Sequence, residues 1–288
     1  MPPRKYYSTR VGTNPLARLD LGGFKMMFLS VERSLWAKGH MAGAFGYSCP
    51  DAGDVPGTLG ADLEGAVLIA IRKENLWPIY TQIDNYKEDD LFDIIEFLYD
   101  HVSKPQKSWV HDYGGCGNHY SDFDKEAGQA EYVEKLNPIL QTYRNGYELN
   151  DKGEILTLPP PGMGPLLDAP LPTLNPNNVE AKVRAAADRF RRHNSSLDER
   201  KNAIRDLADV LEFLRDDAKD VLSSKDEGDL FNIANNFGIR HHNVKQKTNY
   251  DAAIWYSWMF YHYLSTIHVC LRLIARKKAA EAKQKQRK

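Results

Sequence analysis

The sequence predicts a mainly α-helical protein: a small α+β module, winged-helix-like in shape, followed by a C-terminal four-helix bundle. Three observations predict this. Apolar residues recur at helical spacing from Val179 to Ile274. Seven prolines crowd the stretch "LTLPPPGMGPLLDAPLPTLNPNN", Leu156 to Asn178, which breaks the chain near its middle. Ahead of it, helical segments are mixed with a hairpin signal, "GYELNDKGEILTL", turning at Asn150–Gly153. The organisation expected is an N-terminal α+β domain over residues 1–157, an extended proline-rich linker without regular structure over 158–178, and the bundle with a basic tail over 179–288.

Each element has its own justification. "GFKMMFLSVERSLWAKG" reads as a helix stopped by Gly39, and "CPDAGDVPGTLGADLEG" as a Gly/Pro/Asp loop. "LEGAVLIAIRKENLWPI" fits either a helix or a buried strand ending at Pro78. "EDDLFDIIEFLYDHV" is an acid-started helix that turns Leu91, Ile94, Ile95 and Leu98 inward, and "AEYVEKLNPILQTY" is another helix. In the second half Asn177 and Asn178 are natural N-caps for a helix carrying Val179, Val183, Ala186, Ala187 and Phe190. Ser196 and Glu199 form a capping box ahead of a helix with the face Ala203, Ile204, Leu207, Leu211 and Leu214. A third helix opens near Asp226. The fourth, from about Tyr250 beyond Ile274, is apolar nearly all round over Ile254–Leu264, which predicts burial on every side.

Composition narrows the function classes. A hydrophobic fraction of 42% and a charged fraction of 27% over 288 residues are those of a globular protein. A net charge of −1 excludes a wholly basic nucleic-acid coat but leaves room for a local basic patch. "AAIWYSWMFYHYLSTIHVCLRLI", Ala252 to Ile274, is long enough to span a bilayer. It carries Ser257, His262, Ser265, Thr266, His268 and Arg272, polar groups that are costly in lipid, so no membrane partner is expected. Three widely spaced cysteines do not suit a disulfide framework, and "MPPRKYYSTRVGTNP" lacks the apolar run of a secretory signal. A cytoplasmic location is expected.

Three clusters could carry chemistry. In "HDYGGCGNHY", His111, Cys116 and His119 have the spacing H-x4-C-x2-H; zinc favours such donors but a structural site wants four. A Gly-rich turn accounts for the three without an ion, so neither metal nor other cofactor is expected. The tail from Arg272 to Lys288 holds eight basic residues and one acidic, a run that either binds phosphates or complements a helix end. The third cluster, "FGIRHHNVKQKTNYD", places Arg240, His241, His242 and Asn243 ahead of the fourth helix, with Lys245 and Lys247 behind them. Arginine offers a fork to phosphate oxygens and histidine moves protons near neutrality, which is what metal-free attack by an RNA 2′-hydroxyl requires.

The bundle, with "LFNIANNFGIRHHN" leading into a long aromatic helix, resembles the HEPN superfamily, over roughly Val179 to Arg276. The whole arrangement resembles abortive-infection-type proteins that join a variable N-terminal domain to a HEPN-like bundle. The resemblance implies a homodimer and a metal-independent ribonuclease of anti-phage or toxin–antitoxin type, whose motif is R-x4–6-H with a polar residue after the Arg. Arg240 matches the motif Arg and His241 the polar position. The closing His is absent, since 245–247 read Lys245, Gln246, Lys247, so His241 or His242 must take that role. The expected site is therefore catalytic Arg240, His241 and His242, with Asn243, Lys245 and Lys247 on the substrate. Expected partners are RNA, a second copy of the chain, and an antitoxin or phage-derived trigger. The alternative is a non-catalytic HEPN-like module that binds nucleic acid or scaffolds; a third reading is a zinc-stabilised regulator built on His111, Cys116 and His119.

Overall fold

The computed structural model describes residues 4, 6–14, 18–172, 179–222 and 251–285. Asn177, Asn178, the helix opening at Asp226 and the whole run Arg240–Lys247 lie outside the described residues. The chain is mainly helical and divides after Leu158 into two compact units. No helix among the described residues is long and apolar enough to cross a membrane.

The first unit contains α1 (Tyr7–Val11), α2 (Leu21–Ala37), α3 (Ala42–Phe45), α4 (Leu63–Ile71), α5 (Ile79–Gln82), α6 (Glu88–His101) and α7 (Lys125–Leu140). Three two-stranded antiparallel ribbons accompany them: β1 (Tyr47–Cys49) with β2 (Gly53–Val55), β3 (Lys104–His111) with β4 (Gly117–Asp124), and β5 (Tyr147–Leu149) with β6 (Ile155–Thr157). Asp20 caps α2 by accepting from the Gly23 amide at 2.8 Å, and Gly39 stands beyond its end at φ 76°. The ambiguous "LEGAVLIAI" is helix α4, started by the Asp62 side chain on the Gly65 amide. As predicted, Leu91, Ile94, Ile95 and Leu98 of α6 are fully buried, against Phe24 and Phe28 of α2 and Tyr132 and Leu136 of α7 in one core.

The hairpin β5–β6 turns where the sequence placed it. Asn150 Oδ1 accepts from the amides of Lys152 and Glu154, both at 2.9 Å, and Gly153 takes φ 81°. Asn137 of α7 clasps Leu149 of β5 from both sides, donating from Nδ2 at 3.2 Å and accepting on Oδ1 at 2.8 Å. The longest ribbon, β3–β4, was not foreseen as strands. It pairs Lys104 with Asp124 at its base and His111 with Gly117 at its tip.

Gly128 sets how closely α7 lies on the start of that ribbon. A Cβ there would stand 2.5 Å from Ser103 Cα and 2.6 Å from the Lys104 nitrogen. Alanine at an ordinary helix position would gain up to about 1 kcal/mol over glycine. Here the backbone clash, costing about 1–3 kcal/mol, outweighs that gain. Gly128→Ala is thus expected to lower stability, measured by denaturant unfolding of the first unit; a stabilised variant would contradict the close packing.

The second unit begins at Pro159. The proline-rich stretch is not the structureless linker expected: α8 (Gly164–Asp168) forms within it, with Pro165 in the first turn, where a missing amide costs nothing. Leu166, Leu167 and Leu171 then pack on the second unit's core. Among the described residues, three more helices precede the long one: α9 (Ala181–Arg191), α10 (Leu197–Phe213) and α11 (Arg215–Lys219); the long one is α12 (Ala252–Lys285). The Ser196–Glu199 capping box is present, with the Glu199 amide donating to Ser196 Oγ at 3.2 Å and Glu199 Oε2 accepting from the Ser196 amide at 2.8 Å. Ser196→Ala should cost about 1 kcal/mol, read from the melting temperature, unless water replaces the hydroxyl.

Helix α12 departs from burial on every side. Tyr256, Met259, Phe260, Tyr263, Leu264, Ile267 and Leu271 face the core, while Ile254, Trp258 and Val269 stay 67%, 45% and 53% exposed. The apolar belt is one buried stripe plus an outer aromatic face, where Trp258 stacks on His262 at 5.2 Å. The basic tail has partners: Lys277 meets Asp220 at 2.9 Å and Lys278 meets Asp217 at 3.0 Å. Exposed pairs of this kind contribute little individually, but they account for part of the tail's charge without phosphate.

Candidate metal centre

Sequence spacing placed three potential ligands together, and the fold supplies a fourth. The β1–β2 ribbon ends at Cys49, whose side chain is buried. The tip of β3–β4 brings His111, Cys116 and His119 to it, so that one donor atom from each of the four lies within 4.8 Å of every other. Cys49 Sγ is 3.6 Å from His111 Nδ1, and Cys116 Sγ is 3.1 Å from His119 Nε2.

These separations suit a tetrahedral ion. Zinc bonds of about 2.3 Å to sulfur and about 2.0–2.1 Å to nitrogen imply edges between donors of roughly 3.3–3.8 Å. Two thiols and two imidazoles are the donors that zinc prefers, and two carboxylate-free pairs exclude the oxygen-loving cations. The expectation that no metal is held rested on finding only three ligands; Cys49 removes that ground.

Local structure explains why the ligands converge. The tip turns through Tyr113–Gly115, where Gly114 at φ 59° and Gly115 at φ 73° occupy left-handed conformations that glycine adopts without strain. That tight turn returns the chain so that Cys116 and His119 lie beside His111. The ring of His119 sits 4.7 Å from Tyr47 and 5.5 Å from Trp109, which restricts its orientation. The Ala52 amide donates to Cys49 Sγ at 3.5 Å and draws that thiol below its ordinary value, against the opposing effect of burial. Cys116 is pushed up, by burial first and then by the neighbouring Cys49 sulfur. One thiol is thus readied for deprotonation while its neighbour resists until a cation offsets the second charge.

The ribbon's base is fixed separately. Glu131 of α7 accepts from Lys38 at 3.0 Å and lies 3.1 Å from His40 Nε2, with Lys104 at 3.4 Å. Burial alone would raise its carboxyl, but Lys38 and His40 overcome this and hold it down at about 2. A carboxyl lowered on folding contributes stability above its unfolded value near 4.5, and that contribution fades as pH falls from there towards 2. Allowing for solvent screening, Glu131→Gln should cost about 1–2 kcal/mol at pH 7 and about a quarter of that at pH 2.5, where most of the contribution has faded. Urea unfolding at the two pH values checks this; an equal loss at both would mean the carboxylate's charge is not what matters.

Of the residues singled out from the sequence, His111, Cys116 and His119 are brought together. Arg240, His241, His242, Asn243, Lys245 and Lys247 lie outside the described residues. Cys49 was missed because it stands 62 residues before His111. The available signal was a cysteine followed by a Pro/Gly turn, "CPDAG", which can fold back on its own sulfur. No family model, curated protein or solved structure matches this chain.

Proposed function

We propose that the first unit is a zinc-ordered recognition module and that the second is an RNA-cleaving, HEPN-like effector. In this reading Cys49, His111, Cys116 and His119 hold one zinc ion. The convergence of their donor atoms within 4.8 Å is the observation that supports the module. Four protein ligands leave no open position for a reacting water, so the ion's role is structural rather than hydrolytic. It would lock the end of β3–β4, where Trp109, Val110 and Tyr113 are half or more exposed and available to a partner. Elemental analysis of chain purified without chelator should give about one zinc per chain, lost in Cys116→Ser. Stoichiometry near zero in the wild type would remove this reading.

The effector half rests on the resemblance of the second unit's sequence to HEPN proteins. The Arg240 fork would hold the scissile phosphate, with Asn243, Lys245 and Lys247 adding contacts. His241 or His242 would move the 2′-hydroxyl proton, independently of the ion in the first unit. The biological setting proposed is abortive infection or a toxin–antitoxin pair, in a cytoplasmic homodimer. Arg240→Ala should lower RNA cleavage by about a hundredfold or more without altering the circular dichroism spectrum. Cleavage that is unchanged in Arg240→Ala, or absent in the wild type, would leave a non-catalytic binding module.

A further inference from the structure

A second site lies in the first unit, distinct from the four metal donors. A cavity of about 600 Å³ is bounded by α2 on one side and by the segment entering α5 on the other. Glu32, Arg33 and Trp36 line it from α2; Trp77, Ile79 and Tyr80 line it from the opposite wall. That volume falls within the range of small-molecule sites. The two indoles are held from behind by one ring: Phe45 lies 5.5 Å from Trp36 and stacks on Trp77 at 5.3 Å. Tyr80, 70% exposed, stands at the mouth.

Glu32 is the unusual member. It is a carboxyl only 8% exposed, placed in an apolar wall, where an uncompensated charge is costly. Its nearby compensation consists of the Trp36 side chain and the charge of Arg33. Arg33 is exposed, so water screens it far more than it screens Glu32. Tyr86 and Tyr132, both buried close enough to feel the carboxylate, add no positive charge. The cavity therefore combines aromatic walls with a buried carboxyl that desolvation pushes above its ordinary value, and whose charged form a cation entering the cavity would favour.

We propose that this cavity binds a protonated arylalkylamine, its ammonium on the Glu32 carboxylate and its flat body against the Trp36 and Trp77 indoles. The charge selects the cation; the indole faces add cation–π attraction and apolar contact. An acid of the same shape would be drawn instead to the exposed Arg33 and would leave Glu32 facing a second negative charge.

Calorimetric titration of the full-length chain at pH 7.5 tests this with phenethylamine, tyramine and tryptamine against phenylacetate and benzyl alcohol. At least one amine should bind saturably, at least tenfold tighter than both non-cationic analogues, and Glu32→Gln should weaken it at least tenfold. Circular dichroism verifies that the variant is folded; should it not fold, the wild-type preference for amine over analogue decides alone. Silence from all three amines overturns the proposal, as does phenylacetate binding as well as the amines or a folded Glu32→Gln that binds them unchanged.

Discussion

Cys49→Ser is expected to abolish zinc loading and to lower the melting temperature of the first unit by about 8–16 °C. The size follows from comparing two anchors. In zinc-finger peptides the metal contributes about 10–16 kcal/mol, because nothing else orders the chain. Here the unit keeps an extensive apolar core, and Glu131 fixes the ribbon's base without an ion. Loss of the ion is therefore expected to cost on the order of 4 kcal/mol, at roughly 2–4 °C per kcal/mol for a unit of this size. Chelation of the wild type should reproduce the shift, and hydrogen exchange should localise it to Trp109–His119 while α6 amides stay protected. A variant that loses zinc but melts at the wild-type temperature would show that the ribbon closes without it.

Phe260→Ala should produce the largest loss in the second unit, about 3–5 kcal/mol. Phe260 is fully buried in the first third of α12 and stacks on Phe190 of α9 with centroids 4.1 Å apart and planes 9° from parallel. Removing the ring deletes that stack and leaves a void between helices that Ile204 and Leu207 of α10 also help to enclose within one core. Domains are stable by only about 5–15 kcal/mol, so about a fifth or more of the total is at risk. Zinc content should be unaffected, which makes this variant the counterpart of Cys49→Ser. Thermal unfolding followed by near-ultraviolet dichroism reads the loss; a fall below 1 kcal/mol would mean the helices close the void.

The parts legible in the sequence are those where local chemistry and burial agree. Ser196 and Glu199 announced a helix start because the two halves of a capping box stand three residues apart, and α6 announced its inward face because one stripe is apolar and the other acidic. The β3–β4 ribbon escaped notice for the opposite reason. Its strands are exposed along most of both faces, so no alternation of polar and apolar residues marks them. The outer face of α12 was misjudged because Ile254, Trp255 and Trp258 carry the same apolar signal whether or not anything covers them. For the candidate centre, the three clustered ligands could be read directly. Cys49 could not, since a distance of 62 residues becomes a contact only through the fold.

That same separation has a consequence during synthesis. Cys49 leaves the ribosome well before His111, and at about 5–20 residues per second the interval is roughly 3–12 s. The remaining ligands then arrive together, on a ribbon able to form in about 1–10 μs. Capture of the proposed ion would thus begin on three nearby donors and end when a waiting thiol swings in, with elongation as the slow stage and the closure itself fast. Any oxidant present in the nascent environment has those seconds to reach a sulfur that the finished protein buries.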